Sequence, residues 1–268
     1  MSAAITTPSG HTLAYRETGG GAPLILVHGS PGEGRAWSRV VPHLGDRYRI
    51  VMPDLPGYGA SDPLPDDTSA TAHTAAMAAG VAALIRSCDA PVHLCGHSYG
   101  GNVALHAALM ESDRVQRLTL LEPVFFRALA LSGDTTTLDP AARFFSAYAD
   151  RVTGGQPEAV SEMIEFWFGA GSYDQLPPAT RSYLQSAAAK NGADVRAAWS
   201  EQISVAQLAG FPNPTRIAYG AASPPVAPAI AKALAGLMPR ASIHAIPDAG
   251  HGMLDSHPRA VAEIIRSA

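Results

Sequence analysis

Between residues 11 and 121, short apolar runs take turns with segments patterned for helix, and that alternation leaves the chain few architectures. "HTLAYRE" (11–17) alternates apolar and polar side chains, as an antiparallel strand does. "LILV" (24–27) and "IVM" (50–52) are continuous apolar runs, the pattern of strands buried on both faces. A helix-like segment follows each, over about 34–45 and about 70–87; the second has Thr68 or Ser69 as a start signal and is rich in alanine. "VHLC" (92–95), a helical pattern over 100–110 and "RLTLL" (117–121) continue the series. Such alternation predicts an α/β fold, a mostly parallel sheet with helices on both faces.

The pattern breaks after Pro123. From about 124 to 212 no buried strand is evident. Val160, Met163, Ile164, Trp167 and Phe168 fall at i, i+3, i+4, i+7 and i+8, which predicts an amphipathic helix. Phe144, Tyr148 and Val152 suggest another, and a third spans roughly 178–207. Alternation then resumes with "TRIAYG" (215–220), a helix near 226–238, "SIHAIP" (242–247) and a last helix from Pro258. The economical organisation is one α/β core, 1–123 and 213–268, interrupted by a helical block, 124–212. A chain of 268 residues suffices for that.

Charge and cysteine usage exclude several roles. Only 16% of residues are charged and the net charge is −4, with no run of Lys or Arg. Neither nucleic acid nor an anionic membrane is therefore an expected partner. Cys88 and Cys95 form no CxxC or Cys/His cluster, so no disulfide framework is expected, which suits a reducing compartment. The opening "MSAAITTPSG" lacks a basic and apolar leader, and no apolar run approaches the roughly 18 residues that span a bilayer. A cytoplasmic protein, monomeric or homodimeric, acting on a small molecule is the expectation. The histidines are scattered without metal-ligand spacing, and no phosphate-cradling glycine loop follows a strand. No metal or cofactor is expected.

The chemistry concentrates at "LCGHSYGG" (94–101). Gly96-x-Ser98-x-Gly100 follows a buried strand and opens a helix. A serine on such a strand-to-helix turn is a candidate nucleophile, with small residues two before and two after to avoid clashes. The helix start points N–H groups at developing negative charge. The loop after "LILV", beginning His28-Gly29, is the place for a second donor: the backbone N–H groups of Ser30 and Tyr99 are the candidate oxyanion hole. His28 itself reads as a packed, loop-shaping residue. The base should overhang the strand ends late in the chain, and among the ten histidines only His251, in "IPDAGHGML", is so placed.

In order along the chain, "LILVHGSPG", "VMPDLPGYGASD", "LCGHSYGG" and "IPDAGHGM" resemble the recurring segments of the α/β-hydrolase fold superfamily. The resemblance covers nearly the whole chain. It implies a core sheet of about eight strands and a helical lid after strand six, which fits 124–212. It is specific for the fold and weakly specific for the reaction.

The chain departs from the family in one place. Much of the superfamily carries its acid as an Asp just after strand seven; the matching position here is Ser223, and no carboxylate occurs from Ala218 to Ala231. Strand six offers a substitute, ending "RLTLLEPV" with Glu122 at its carboxyl end, a position some relatives use. A charge there is costly unless paired. The sequence leaves two partners open: His251, giving a Ser98–His251–Glu122 triad, or Arg127, leaving the triad incomplete. Asp54, Asp248 and Asp255 are weaker rivals for the acid.

The expected reaction is acyl transfer to water on a small to medium, largely apolar ester, lactone or related substrate. A serine nucleophile argues against the alkyl-enzyme chemistry of the superfamily's dehalogenases and epoxide hydrolases. Phe125, Phe126 and Trp167, with Phe166 and Phe168, are candidates to line the acyl pocket. The fold also serves cofactor-free lyases and cyclases, C–C bond hydrolases and ligand-binding receptors, which stay open as alternatives.

Overall fold

The structure is a computed structural model that describes residues 2–7 and 10–267; Met1, Pro8, Ser9 and Ala268 lie outside them. The chain runs β1 (Ser2–Thr6), β2 (Thr12–Thr18), β3 (Ala22–Val27), β4 (Tyr48–Pro53), α1 (Ala70–Ser87), β5 (Val92–His97), α2 (Tyr99–Met110) and β6 (Val115–Leu121). Five helices follow: α3 (Arg127–Ser132), α4 (Thr135–Thr153), α5 (Val160–Phe168), α6 (Pro178–Trp199) and α7 (Val205–Ala209). The core then resumes with β7 (Thr215–Gly220), α8 (Val226–Leu237), β8 (Ala241–Ile246), α9 (Met253–Ser256) and α10 (Pro258–Arg266).

The eight strands form one sheet in the order β1-β2-β4-β3-β5-β6-β7-β8. β1–β2 and β2–β4 pair antiparallel and the other five pairs are parallel. The apolar runs are long because both faces are covered. Leu24 and Leu26 pack with Trp37, Met253, Val261 and Ile265 on one side, while Ile25 and Val27 join α1, α2, α8 and the helical block on the other. The strand order reverses around β3, so β3, β5, β6 and β8 deliver their carboxyl ends to one edge, where an open α/β sheet places its ligand site.

Three expectations change. Residues 34–45 do not form an α-helix but two short 3₁₀ turns, Gly34–Trp37 and Val41–His43. Pro42 lacks the N–H a continuous helix would need there. The segment expected as one helix over 178–207 is two. Helix α6 stops at Trp199, and Glu201 turns inward, its carboxylate accepting from His106 Nε2 at 2.5 Å and Asn102 Nδ2 at 3.3 Å. Ser204 then starts α7 with a capping box to Gln207. β1 adds an edge strand the opening residues did not announce.

Cys88 and Cys95 are both unpaired and buried. Among the described residues no helix is long and apolar enough to cross a membrane.

One buried group makes the core sensitive to acid. His93 on β5 is 6% exposed and bonds Thr119 Oγ1 through Nε2 at 2.8 Å. Burial, then the charges of Arg117 and Arg216, push its pKa down to about 3. Unfolded, it titrates near its usual value of about 6.5. Below that pH the unfolded chain binds the extra proton, so stability falls as pH drops through this window and the effect levels off near the folded pKa. Acidification from neutrality is expected to lower Tm, by up to about 1.4 kcal/mol of stability per pH unit from this group. His93→Gln should flatten the slope of Tm against pH; a variant with the parental slope removes His93 from the explanation.

Candidate active site

The turn between β5 and α2 holds Ser98 at φ 55°, ψ −127°, a left-handed conformation that a non-glycine residue adopts only under constraint. The flanking glycines are sterically required. A Cβ on Gly96 would lie 2.2 Å from the Gly100 carbonyl oxygen, and one on Gly100 would lie 2.2 Å from that of His28. The Ser98 amide donates to Leu121 O at 3.0 Å, tying the elbow to the end of β6. The loop after β3 passes close by, since a Cβ on Gly29 would come within 2.9 Å of Ser98 Cβ.

One strand over, Glu122 is also left-handed, at φ 43°, with its amide donating to Ala218 O at 2.8 Å. The bend turns its side chain towards the loop after β8. There His251 Nδ1 lies 2.6 Å from Glu122 Oε2, and His251 Nε2 lies 3.0 Å from Ser98 Oγ. The other carboxylate oxygen, Oε1, accepts from Gly220 N at 2.6 Å and from Ser223 Oγ at 2.5 Å. Ser223, which stands where relatives carry an Asp, is thus a donor to the carboxylate that approaches from the neighbouring strand. Arg127, the other partner considered for Glu122, donates instead to Ile203 O at 2.9 Å.

Burial alone would raise the Glu122 carboxyl. The hydrogen bond and charge of His251, with the donors from Ser223 and Gly220, more than offset it and hold the carboxyl below its ordinary range. An ionised Glu122 only accepts. Nδ1 of His251 therefore carries the proton, and Nε2 presents its lone pair to the Ser98 hydroxyl.

The imidazole is packed from two sides. Trp167 stacks on it with ring centroids 4.1 Å apart and planes 22° apart, and His97 lies 5.0 Å away. His97 Nε2 donates to the His251 carbonyl at 3.0 Å. Burial, then repulsion from His251, lowers the His97 pKa to about 3, so it stays neutral at ordinary pH.

Ser30, Ser98 and Tyr99 line one narrow cavity, tighter than an ordinary ligand pocket. The amides of Ser30 and Tyr99 have no backbone partner among the described residues. Val124, Phe126, Phe145, Met163 and Trp167 form its apolar wall. Phe125 does not belong to it. Its side chain is fully buried in the core, whereas Phe126, stacked on Trp199 with ring centroids 4.2 Å apart, lines the cavity. Phe166 packs on Phe144 and Phe168 is half-exposed over an outer groove.

Sequence reasoning missed Asn191 and Asp194, two buried residues on the cavity face of α6. The available signal was polarity on a repeating face: Asn191, Asp194, Val195 and Ala198 fall at i, i+3, i+4 and i+7. His28 is packed as expected: Leu55 N donates to its Nε2 at 2.9 Å, and burial lowers its pKa. Asp54 fixes loops through Gly34 N and Ala60 N. No metal-holding cluster of three or more His, Cys, Asp or Glu occurs among the described residues.

Known proteins sharpen this picture. A profile of the "Alpha/beta hydrolase family" matches residues 24–264. The chain is 30% identical over 262 residues to a pimeloyl-[acyl-carrier protein] methyl ester esterase of Methylococcus capsulatus, covering 94% of this chain and 96% of that one. It is also 30% identical to a soluble epoxide hydrolase of Corynebacterium sp., over 58% of this chain and 52% of the relative, so it spans about half the length of that protein. Among solved structures, a thermophilic esterase of Thermogutta terrifontis superposes with a TM-score of 0.72 at 27% identity, covering 100% of this chain and 97% of that one.

Proposed function

Because the chain belongs to the alpha/beta hydrolase family, we propose that it is a serine hydrolase that cleaves small to medium esters, lactones or related acyl compounds through an acyl-enzyme. The observation that carries this reading is the unbroken hydrogen-bond path from Ser98 Oγ through His251 to Glu122, at 3.0 and 2.6 Å.

Ser98 Oγ attacks the substrate carbonyl while His251 Nε2 takes its proton. Glu122 fixes the ring and stabilises the imidazolium. The oxyanion of the tetrahedral intermediate accepts from the amides of Ser30 and Tyr99, a pair whose loss typically costs about 10²–10³ per donor. The intermediate collapses as His251 returns the proton to the leaving oxygen. Water then repeats the sequence on the acyl-enzyme and frees Ser98. The helical block, 124–212, acts as the lid that shapes the acyl cavity. The protein works in the cytoplasm as a monomer or homodimer on a small-molecule substrate, with neither nucleic acid nor membrane as a partner and without metal or cofactor. A serine rather than an aspartate nucleophile separates it from the alkyl-enzyme chemistry of epoxide hydrolases.

Hydrolysis of a p-nitrophenyl ester series tests the reading. The small cavity predicts a maximum of kcat/KM at short acyl chains and a steep fall for long ones; a folded protein inactive on the whole series overturns it. Trp167 is the residue shared by the inner cavity and the outer groove. Trp167→Ala should lower kcat on short esters about tenfold, by loosening the stacked imidazole. It should also extend the series to longer chains. An unchanged chain-length profile would mean that Trp167 does not bound the acyl site.

A further inference from the structure

The cavity under Ser98 has one polar wall that the acyl-transfer machinery does not use. Helix α6 turns Asn191 and Asp194 into it, one helical turn before the apolar Val195 and Ala198. The Asp194 side chain is 1% exposed. A buried carboxylate is costly unless paired, and Asp194 is paired twice. Oδ1 lies 2.8 Å from His73 Nε2, and Oδ2 accepts from the Tyr58 hydroxyl at 2.7 Å.

The direction of the remaining bonds follows from that carboxylate. Tyr58 spends its hydroxyl hydrogen on the bond to Asp194, so Ser30 Oγ donates to Tyr58 across 2.8 Å. Ser30 Oγ in turn accepts from Asn191 Nδ2 at 2.9 Å, and Asn191 Oδ1 accepts from Tyr148 at 2.5 Å. An amide nitrogen carries two protons and each carboxylate oxygen accepts about two bonds. One Asn191 N–H and one site on each Asp194 oxygen therefore have no partner among the described residues, on two residues that line the same cavity. None of these atoms is orphaned, and the spare capacity suits a ligand group that both accepts and donates.

We propose that this wall binds a hydroxyl group on the acyl part of the substrate: its oxygen accepts from Asn191 Nδ2 and its proton goes to Asp194. The substrate class is then a hydroxylated acyl ester or lactone, with its carbon chain against Phe126, Phe145 and Met163. This rests on the acyl-transfer reading of Ser98. A carboxylate at that end would be repelled by Asp194. An ammonium has no acceptor and would leave the spare Asn191 N–H without a partner.

Methyl esters of straight-chain acids, with one hydroxyl moved stepwise along the chain and with none, test the proposal by pH-stat assay. At the position that reaches α6, the hydroxylated ester should be preferred about 10–100-fold in kcat/KM over its unsubstituted parent, the range for a hydrogen bond to a charged partner. Asp194→Asn and Asn191→Leu should each shrink that ratio; either variant suffices if the other fails to fold. Unsubstituted esters cleaved as well as every hydroxylated one, or a ratio that survives both substitutions, would overturn the proposal. Fluorophosphonate labelling of Ser98 in the same samples separates the two levels. A labelled serine without hydroxyl preference sinks the substrate class alone, whereas an unlabelled serine with no ester cleaved sinks the acyl-transfer reading and this inference with it.

Discussion

Ser98→Ala is expected to reduce kcat on an ester substrate by about 10⁵–10⁶-fold without loss of fold. Ser98 Oγ is 3.0 Å from His251 Nε2, whereas Ser30 Oγ, the other serine hydroxyl at the cavity, is bonded to Tyr58 and Asn191. The residue sits in a left-handed conformation at φ 55°. Alanine carries the same backbone strain, so thermal stability should change little and binding of substrate should persist. His251→Ala removes the same step from the other side and should cost a comparable factor. The double variant should be no worse than either single one, because the two groups act as a unit. Residual catalysis from the oxyanion donors should remain in all three. Losses that multiply in the double variant would show that Ser98 and His251 act independently, contrary to the mechanism.

Glu122→Gln is expected to lower kcat by about 10³–10⁴-fold, again with the fold intact. The reason is tautomeric. Oε1 accepts from Gly220 N and Ser223 Oγ, which would hold the glutamine oxygen on that side. The amide NH₂ would then face His251 Nδ1, donor against donor. The ring relieves the clash by moving its proton to Nε2, where it can no longer accept from Ser98. KM should change less than kcat, since Glu122 is screened from the cavity by His251. Ser223 adds a second arm. Its hydroxyl is 2.5 Å from the Glu122 carboxylate, so Ser223→Asp in the Glu122→Gln background places an acid on the same imidazole from β7. That double variant should recover at least about tenfold of the loss. A Glu122→Gln enzyme within a few-fold of the parent would remove Glu122 from the mechanism.

What could be read from residues alone was whatever neighbouring residues determine. The β5–Ser98–α2 turn was legible because a buried strand, two small residues and a helix start sit within eight positions of one another. The break at Glu201 was not. What ends α6 there is a bond from Glu201 to His106, 95 residues away, and no local propensity encodes it. The same holds for the cavity wall: Asn191 bonds Ser30 across 161 residues and Asp194 bonds His73 across 121. Phe125 and Phe126 are both buried but only Phe126 lines the cavity, a difference composition does not disclose. The absent aspartate was visible as a gap. The use of Ser223 as a donor to Glu122 needed coordinates, because it depends on how closely the ends of β6 and β7 approach.

A fluorophosphonate probe followed by intact-mass and peptide mapping decides whether Ser98 is an activated nucleophile. One probe per chain is expected, on Ser98, with labelling slowed by orders of magnitude in Glu122→Gln. A well-folded parental protein that stays unlabelled, or one labelled at another residue, would contradict that role.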